Sequence, residues 1–172
     1  MMRPPALFGL LWGLSPLFGF ASADETTLDF VALKNAVSAE RIEQDVSRLV
    51  GFGTRHTLSD TESDSRGIGA ARRWIAGEFE TISAACGGCL DVHVSGAVIA
   101  GEPRIPEPTE VVNVIAILRG TSDPERYVMM SGDIDSRVSD PLDAISDSPG
   151  ANDNASGMAG VLEAARVLSG QR

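Results

Sequence analysis

The chain has 172 residues, of which 43% are hydrophobic and 22% are charged. This length and composition suit about one domain with a buried core and exclude an intrinsically disordered chain. The formal net charge is -10, and no stretch is rich in Lys and Arg. Nucleic acid is therefore not an expected partner, because the neutralisation of phosphates requires grouped cations.

The first 23 residues predict a secretory signal peptide. Arg3 is the only charge before an apolar stretch from Ala6 to Phe20, and the small residues Ala21-Ser22-Ala23 follow it. The apolar stretch contains Gly and Pro and is shorter than the roughly 20 residues that a membrane-spanning helix needs. We expect cleavage after Ala23, export to the periplasm or the extracellular space, and no stable membrane association. An uncleaved N-terminal anchor is the alternative.

Two helices are predicted at the start of the mature chain, residues 24–172. In the first, over 38–50, apolar residues recur at helical spacing and Ser38 suits the N-cap position. The second extends from about 67 to 82. Between them, residues 53–67 are polar and without periodicity, which predicts a surface loop. His56 in this loop and His93 further on are expected to be surface or structural residues.

Two cysteines, Cys86 and Cys89, follow the second helix in the sequence Cys-Gly-Gly-Cys. In an oxidising compartment such a pair is expected to form a disulfide, and the two glycines allow the tight turn that it requires. A catalytic thiol pair is the alternative, although the strand-to-helix setting of a thioredoxin-type motif is missing. Two thiolates alone do not complete a tetrahedral zinc site.

After the cysteines, apolar residues recur at every second position. Alternating apolar residues from Leu90 to Val94 predict a half-buried strand. Residues 111–118 predict a strand that is buried on both faces apart from Asn113, and residues 127–131 predict another buried strand. A helix is predicted over 156–169. These elements indicate an α/β sandwich with a central sheet. A parallel sheet needs a strand to follow that helix, so we expect the protein to continue beyond Arg172.

Acidic residues follow the predicted strand 127–131 at once. Asp133 and Asp135 are two residues apart and point the same way in an extended chain, and Asp153 lies in the loop before the last helix. In α/β sheets ligands bind at the carboxyl ends of strands, and converging carboxylates suit a divalent cation. The alternative is that these aspartates form solvated turns, or that Asp153 or Ser156 caps the last helix.

Two segments carry a resemblance to a known family. The first is Asp133-Ile134-Asp135-Ser136, and the second is Pro149-Gly150-Ala151-Asn152-Asp153-Asn154-Ala155-Ser156-Gly157, which opens the last helix. With them, the region 111–168 resembles the zinc-binding half of the di-zinc aminopeptidases of metallopeptidase family 28. That family includes aminopeptidase Y, bacterial leucyl aminopeptidases and, more distantly, glutamate carboxypeptidase II. The second segment matches the family motif Pro-Gly-Ala-x-Asp-x-x-Ser-Gly at every fixed position. A weaker resemblance runs from Gly53-Thr54-Arg55 to Trp74.

The resemblance implies a three-layer α/β sandwich with a central mixed sheet and a site for two zinc ions. Asp153 would bridge the two ions, and the peptide bond after it would be cis. Asp135 would be the catalytic-site acid that orients the first ligand. Asp133 stands where the family normally has a zinc-binding His. A carboxylate there adds negative charge and lowers the Lewis acidity of the metal. Asp133 and Asp153 are therefore the expected metal ligands.

The resemblance also implies an activity, the release of an N-terminal amino acid from a peptide substrate. In the family the general-base Glu, a second Glu, a further Asp and a final His lie beyond the last helix of this chain. We therefore expect the 172 residues to be the N-terminal part of the catalytic domain, inactive by themselves and poorly soluble. Two alternatives remain: a non-catalytic relative that serves as a binding module, and a zinc acyltransferase similar to glutaminyl cyclase. The pattern does not indicate an oligomeric state.

Overall fold

A computed structural model describes residues 29–171 of the chain. Its elements follow in this order: α1 (Phe30–Ala36), α2 (Ala39–Val50), α3 (Gly67–Ala85), β1 (Leu90–Ile99), β2 (Thr109–Leu118) and α4 (Ser156–Ser169). The predicted signal peptide, residues 1–23, lies outside the described residues. Within 29–171, no helix combines the length and the apolar character needed to cross a membrane.

The helices follow from local sequence signals. α2 begins after Ser38, whose hydroxyl accepts a hydrogen bond from the backbone N–H of Arg41, as predicted for its N-cap. α3 extends to Ala85, slightly past its predicted end, and α4 has the predicted bounds. The pattern does not indicate α1, a short helix that Asp29 caps through the N–H groups of its first turn.

The two strands form an antiparallel hairpin in which Leu90 lies opposite Leu118 and Ile99 lies opposite Thr109. One face of the hairpin packs on α3. The prediction that residues 111–118 are buried on both faces is wrong, because Ile115 and Ile117 on the other face are 44% and 37% exposed. α3 covers only one side of the hairpin, and successive side chains of a strand point to opposite sides.

The predicted strand over 127–131 is also not formed. Its residues form neither helix nor strand within the described part of the chain, and Tyr127, Val128 and Met129 are more than four-fifths exposed. A strand requires a neighbour to accept its backbone hydrogen bonds, and the hairpin β1–β2 does not pair with this segment. The observed sheet is therefore two-stranded and antiparallel, where the resemblance implies a larger mixed sheet. The segment leads directly to Asp133.

The core lies between α2, α3, α4 and one face of the hairpin. Its largest fully buried apolar side chains are Leu49, Phe52, Ile75 and Leu162. At the end of α3, Cys86 and Cys89 form the predicted disulfide, which joins this helix to β1.

Charged side chains connect the same helices along one side of the core. Arg166 of α4 donates hydrogen bonds to Asp45 of α2 and to Glu78 of α3. One turn earlier, Glu163 accepts hydrogen bonds from Arg41 and from the backbone N–H of Ser38. These ion pairs lie among the helices and not at the acidic loops.

Candidate functional site

Three loop segments meet beside the core: 53–57 after α2, 133–136 after the segment 127–131, and 148–154 before α4. Thr54 and Ser148 form an isolated parallel bridge, and the N–H of Ser148 donates to the carbonyl of Gly53 at 2.8 Å. The N–H of Ser136 donates to the carbonyl of Arg55 at 3.3 Å. The segment 53–57 thus bonds through its backbone to both acidic segments, whose Asp133 and Asp153 are 20 residues apart in the sequence.

The side chain of Arg55 lies at the centre of these segments and is fully buried. Its Nε donates to the carbonyl of Ile134 at 2.8 Å, and Nη1 donates to the carbonyls of Leu49 and Pro149, both at 2.8 Å. Nη2 donates to the carbonyl of Gly150 at 3.0 Å. One guanidinium group therefore links the end of α2 to both acidic loops.

The charge of Arg55 is compensated mainly by these carbonyl dipoles. Among residues 29–171 it forms no ion pair with a carboxylate. Burial lowers the pKa of Arg55, and the nearby carboxylate of Asp135 acts in the opposite direction. Since arginine starts from a pKa far above neutrality, the group stays protonated and all its N–H donors remain available.

Ser136 and Gly150 bring the two acidic loops into direct contact. The buried hydroxyl of Ser136 donates to the carbonyl of Ser148 at 2.6 Å and accepts from the N–H of Arg55 at 3.1 Å. Gly150 has a φ of 50°, and a Cβ atom at this position would lie only 2.6 Å from the Cβ atom of Ser136. Glycine is required here both for the left-handed backbone and for the close approach of the loops.

The three predicted site residues, Asp133, Asp135 and Asp153, are all exposed on these loops. Asp135 accepts a hydrogen bond from the hydroxyl of Thr57 at 3.2 Å. Neither Asp133 nor Asp153 forms a salt bridge within the described part of the chain. Their oxygens remain accessible at the surface.

Asp153 lies in an irregular turn, Ala151–Ala155, whose Asp153–Asn154 peptide bond is cis, as the resemblance implies. The alternative role of Asp153 or Ser156 as the cap of α4 is not what the structure shows. Instead the side-chain oxygen of Asn154 accepts a hydrogen bond from the N–H of Gly157 at 2.8 Å. The carboxylate of Asp153 is therefore not used in capping.

Carboxylate oxygens are ligands that divalent cations accept, yet the described residues do not complete a metal centre. Within 29–171, no three His, Cys, Asp or Glu side chains lie close enough together to hold a metal ion. Asp133 and Asp153 by themselves thus do not fit the two zinc ions that the resemblance implies, since zinc takes about four ligands in proteins.

The expectation that residues 53–67 form a surface loop is wrong for its first part. Arg55, His56 and Ser59 are buried. Arg55 and His56 find hydrogen-bond partners in distant loops, and the hydroxyl of Ser59 finds them nearby, at the carbonyl of His56 and the N–H of Ile68. His56 has a structural role: Nδ1 accepts from the N–H of Leu58 at 3.0 Å, and Nε2 lies 3.1 Å from the carbonyl of Pro141. With Nδ1 as the acceptor, Nε2 carries the proton and donates it.

Sequence reasoning missed the role of Arg55. The available signal was an arginine in a short stretch, residues 51–57, that contains Gly and Thr but no acidic residue to pair with it. His93 lies on β1 and is exposed, as expected for a surface residue.

Comparison with known proteins identifies relatives along most of the chain. Residues 113–172 match the family described as Peptidase family M28. A protein of Pyricularia oryzae named "Probable zinc metalloprotease" is 45% identical over 158 residues, which cover 92% of this chain and 32% of that protein. A protein of Leptosphaeria maculans with a similar name is 47% identical over 141 residues, covering 82% and 33%. One of Pyrenophora teres f. teres is 49% identical over 138 residues, covering 80% and 29%. The chain spans about a third of the length of these curated relatives.

Proposed function

Because the chain belongs to peptidase family M28, we propose that it supplies part of the active site of a zinc-dependent aminopeptidase that acts on peptide substrates. The observation that carries the proposal is the meeting of the loop 133–136 with the loop 148–154. Both lie in the region that matches the family, and both present exposed carboxylates. The names of the relatives support zinc as the metal.

Each aspartate has a separate role in this proposal. Asp153 and Asp133 would hold zinc once further ligands complete the site, and Asp135 would orient one of those ligands without touching the metal itself. The accessible oxygens of Asp133 and Asp153, which no cation of the described residues neutralises, support the first assignment. The hydrogen bond from Thr57 to Asp135 supports the second, because it holds the carboxylate in one orientation.

Hydrolysis itself belongs, in this proposal, to a polypeptide of the relatives' length. Residues 24–172 form the N-terminal part of its catalytic domain and are inactive alone, because two carboxylates without further ligands hold zinc weakly. The protein is exported by the signal in residues 1–23. The disulfide between Cys86 and Cys89 supports export, since such bonds persist in oxidising compartments.

One observation favours a second candidate, a non-catalytic relative that uses the fold to bind peptides. Asp133 occupies the position of a family histidine, and its negative charge weakens the Lewis acidity of a bound zinc ion. Zinc analysis combined with activity measurements separates the two candidates, because a binding module holds peptide without hydrolysing it.

The experiment uses the full-length gene product, purified from the exported fraction and assayed with aminoacyl anilides. We expect zinc-dependent hydrolysis that Asp153→Asn abolishes and that Asp135→Asn lowers by about 10–100-fold, as is typical for residues that orient a ligand. Asp123→Asn, a change of an exposed aspartate outside the three loops, is the matched control and should have no effect. Full activity of Asp153→Asn would remove the metal assignment. Tight peptide binding without hydrolysis would favour the binding module.

A further inference from the structure

We propose that Arg55 is a positioning residue that fixes the distance between the loop of Asp133 and the loop of Asp153. The inference rests on the proposed function, since the distance matters only if both carboxylates act on the same site. It assigns to a buried arginine a role that the two acidic motifs do not reveal.

The hydrogen bonds of Arg55 end beside the proposed ligands. Ile134, which accepts from Nε, lies directly between Asp133 and Asp135 in the sequence. Pro149 and Gly150 accept from the two Nη atoms, and they lie in the same turn region as Asp153. A fourth bond, from Nη1 to the carbonyl of Leu49, ties the guanidinium to the end of α2. Both loops are thereby held in place relative to α2.

The geometry requires a guanidinium group and not merely a positive charge. Four carbonyl oxygens from three segments surround one planar group, and its donors point outward in fixed directions. Lysine has a single nitrogen with three donors and cannot reach the same four acceptors. Without the guanidinium, the carbonyls of Leu49 and Gly150 would keep backbone donors, Phe52 and Ala155. Those of Ile134 and Pro149 would lose the hydrogen bond that ties each acidic loop to the end of α2, so the loops would be free to separate.

Two other arginines, the buried Arg72 and the half-buried Arg166, show that this arrangement is specific. Arg72 makes one hydrogen bond, to the carbonyl of Glu110, and its Nε has no partner within the described residues. Arg166 binds carboxylates and joins helices instead of loops. Arg166 is therefore a suitable control, because it is half-buried and lies outside the candidate site.

The test compares Arg55→Lys with Arg166→Lys in the full-length gene product. Hydrogen exchange measured by mass spectrometry should be at least tenfold faster in Arg55→Lys for peptides covering 131–138 and 147–156, and unchanged in α3. The zinc dissociation constant should rise by about 10–100-fold, as for other residues that orient ligands. The kcat value should fall while KM changes little. Arg166→Lys should lower the melting temperature without these local effects.

A second variant covers the case in which Arg55→Lys folds poorly. Arg55→Ala leaves space for a free guanidinium ion, which at millimolar concentration should restore slow exchange in both loops. Methylammonium at the same concentration should not, because it lacks the planar set of donors.

The proposal is overturned if the amide hydrogen exchange and the zinc affinity of Arg55→Lys equal those of the parent protein. It is also overturned if Arg166→Lys disturbs both loops as much as Arg55→Lys does. Failure of Arg55→Ala to fold even with guanidinium also overturns it, because Arg55 then supports the whole fold and not the loop distance. If the parent protein binds no zinc and hydrolyses nothing, but Arg55→Lys loosens these two loops alone, the positioning role stands and the proposed function fails.

Discussion

Replacement of Gly150 by alanine tests how tightly the loops of the candidate site are packed. Gly150 has φ 50° and ψ 48°, in the left-handed region. A Cβ atom would lie 2.5 Å from the backbone oxygen of Asp153 and 2.6 Å from the Cβ atom of Ser136. Both distances are shorter than real Cβ atoms adopt, so one of the loops has to move.

The expected loss of stability has two parts. The left-handed conformation costs an L-residue about 1–2 kcal/mol relative to glycine. Overpacking adds about 1–3 kcal/mol, because Ser136 is held by two hydrogen bonds and the Asp153 oxygen belongs to the backbone. Gly101→Ala is the matched control: its φ is 76° and a Cβ atom there meets nothing within 4 Å. Gly101→Ala should therefore lose only the conformational contribution of about 1–2 kcal/mol.

Urea unfolding of both variants, followed by circular dichroism, measures the difference. We expect Gly150→Ala to be less stable than Gly101→Ala by about 1–3 kcal/mol. The slope of the unfolding free energy against urea concentration should be similar in the two variants. In a thermal melt this corresponds to about 2–12 °C for a protein of this size. Equal stability of the two variants would refute the reasoning, since it would mean that the loops separate at no cost.

Three further outcomes are expected. Burial opposes ionisation of Glu163, but hydrogen bonds from Arg41 and from a backbone N–H bring its pKa below the usual value. This contribution to stability is present above the ordinary pKa of a glutamate and is lost as the pH falls through the lowered one. Glu163→Gln should therefore lower the free energy of unfolding by about 1–2 kcal/mol at pH 7. As the pH falls, the stability of this variant should decrease less than that of the parent protein, which urea midpoints measured against pH will show. Thiol labelling without reductant should find neither Cys86 nor Cys89 free; two labelled sites in the exported protein would contradict the disulfide. The exported protein should begin at Asp24, and N-terminal sequencing that finds Met1 would show a retained anchor.

The helices could be predicted because their signals are local. Ser38 and the spacing of apolar residues fix the start of α2, and the bounds of α4 follow from its own periodicity. The segment 127–131 shows the limit of this approach. Its apolar residues are typical of a strand, but a strand also depends on a neighbour, and local sequence does not specify whether one is present.

The acidic residues of the candidate site could be proposed from the sequence, but the arginine that joins their loops could not. Asp133 and Asp153 stand out because they belong to short motifs. The burial of Arg55 depends on carbonyls 79 to 95 residues further along the chain, at Ile134, Pro149 and Gly150. A polar loop is normally exposed because its groups need water, and here distant backbone groups take the place of water.

In the proposed metal site, Asp133 would replace a neutral ligand with a charged one. Three exposed aspartates lie on adjoining loops, and the carboxylate of Asp135 favours the protonated form of the buried Arg55. A histidine at 133 would reduce the mutual repulsion and leave a bound zinc ion more electrophilic. In the full-length gene product, Asp133→His should therefore preserve or raise zinc-dependent hydrolysis, measured as kcat/KM with an aminoacyl anilide. Loss of hydrolysis in Asp133→His with zinc still bound would show that the carboxylate has a function of its own, and that it does not stand in for an imidazole.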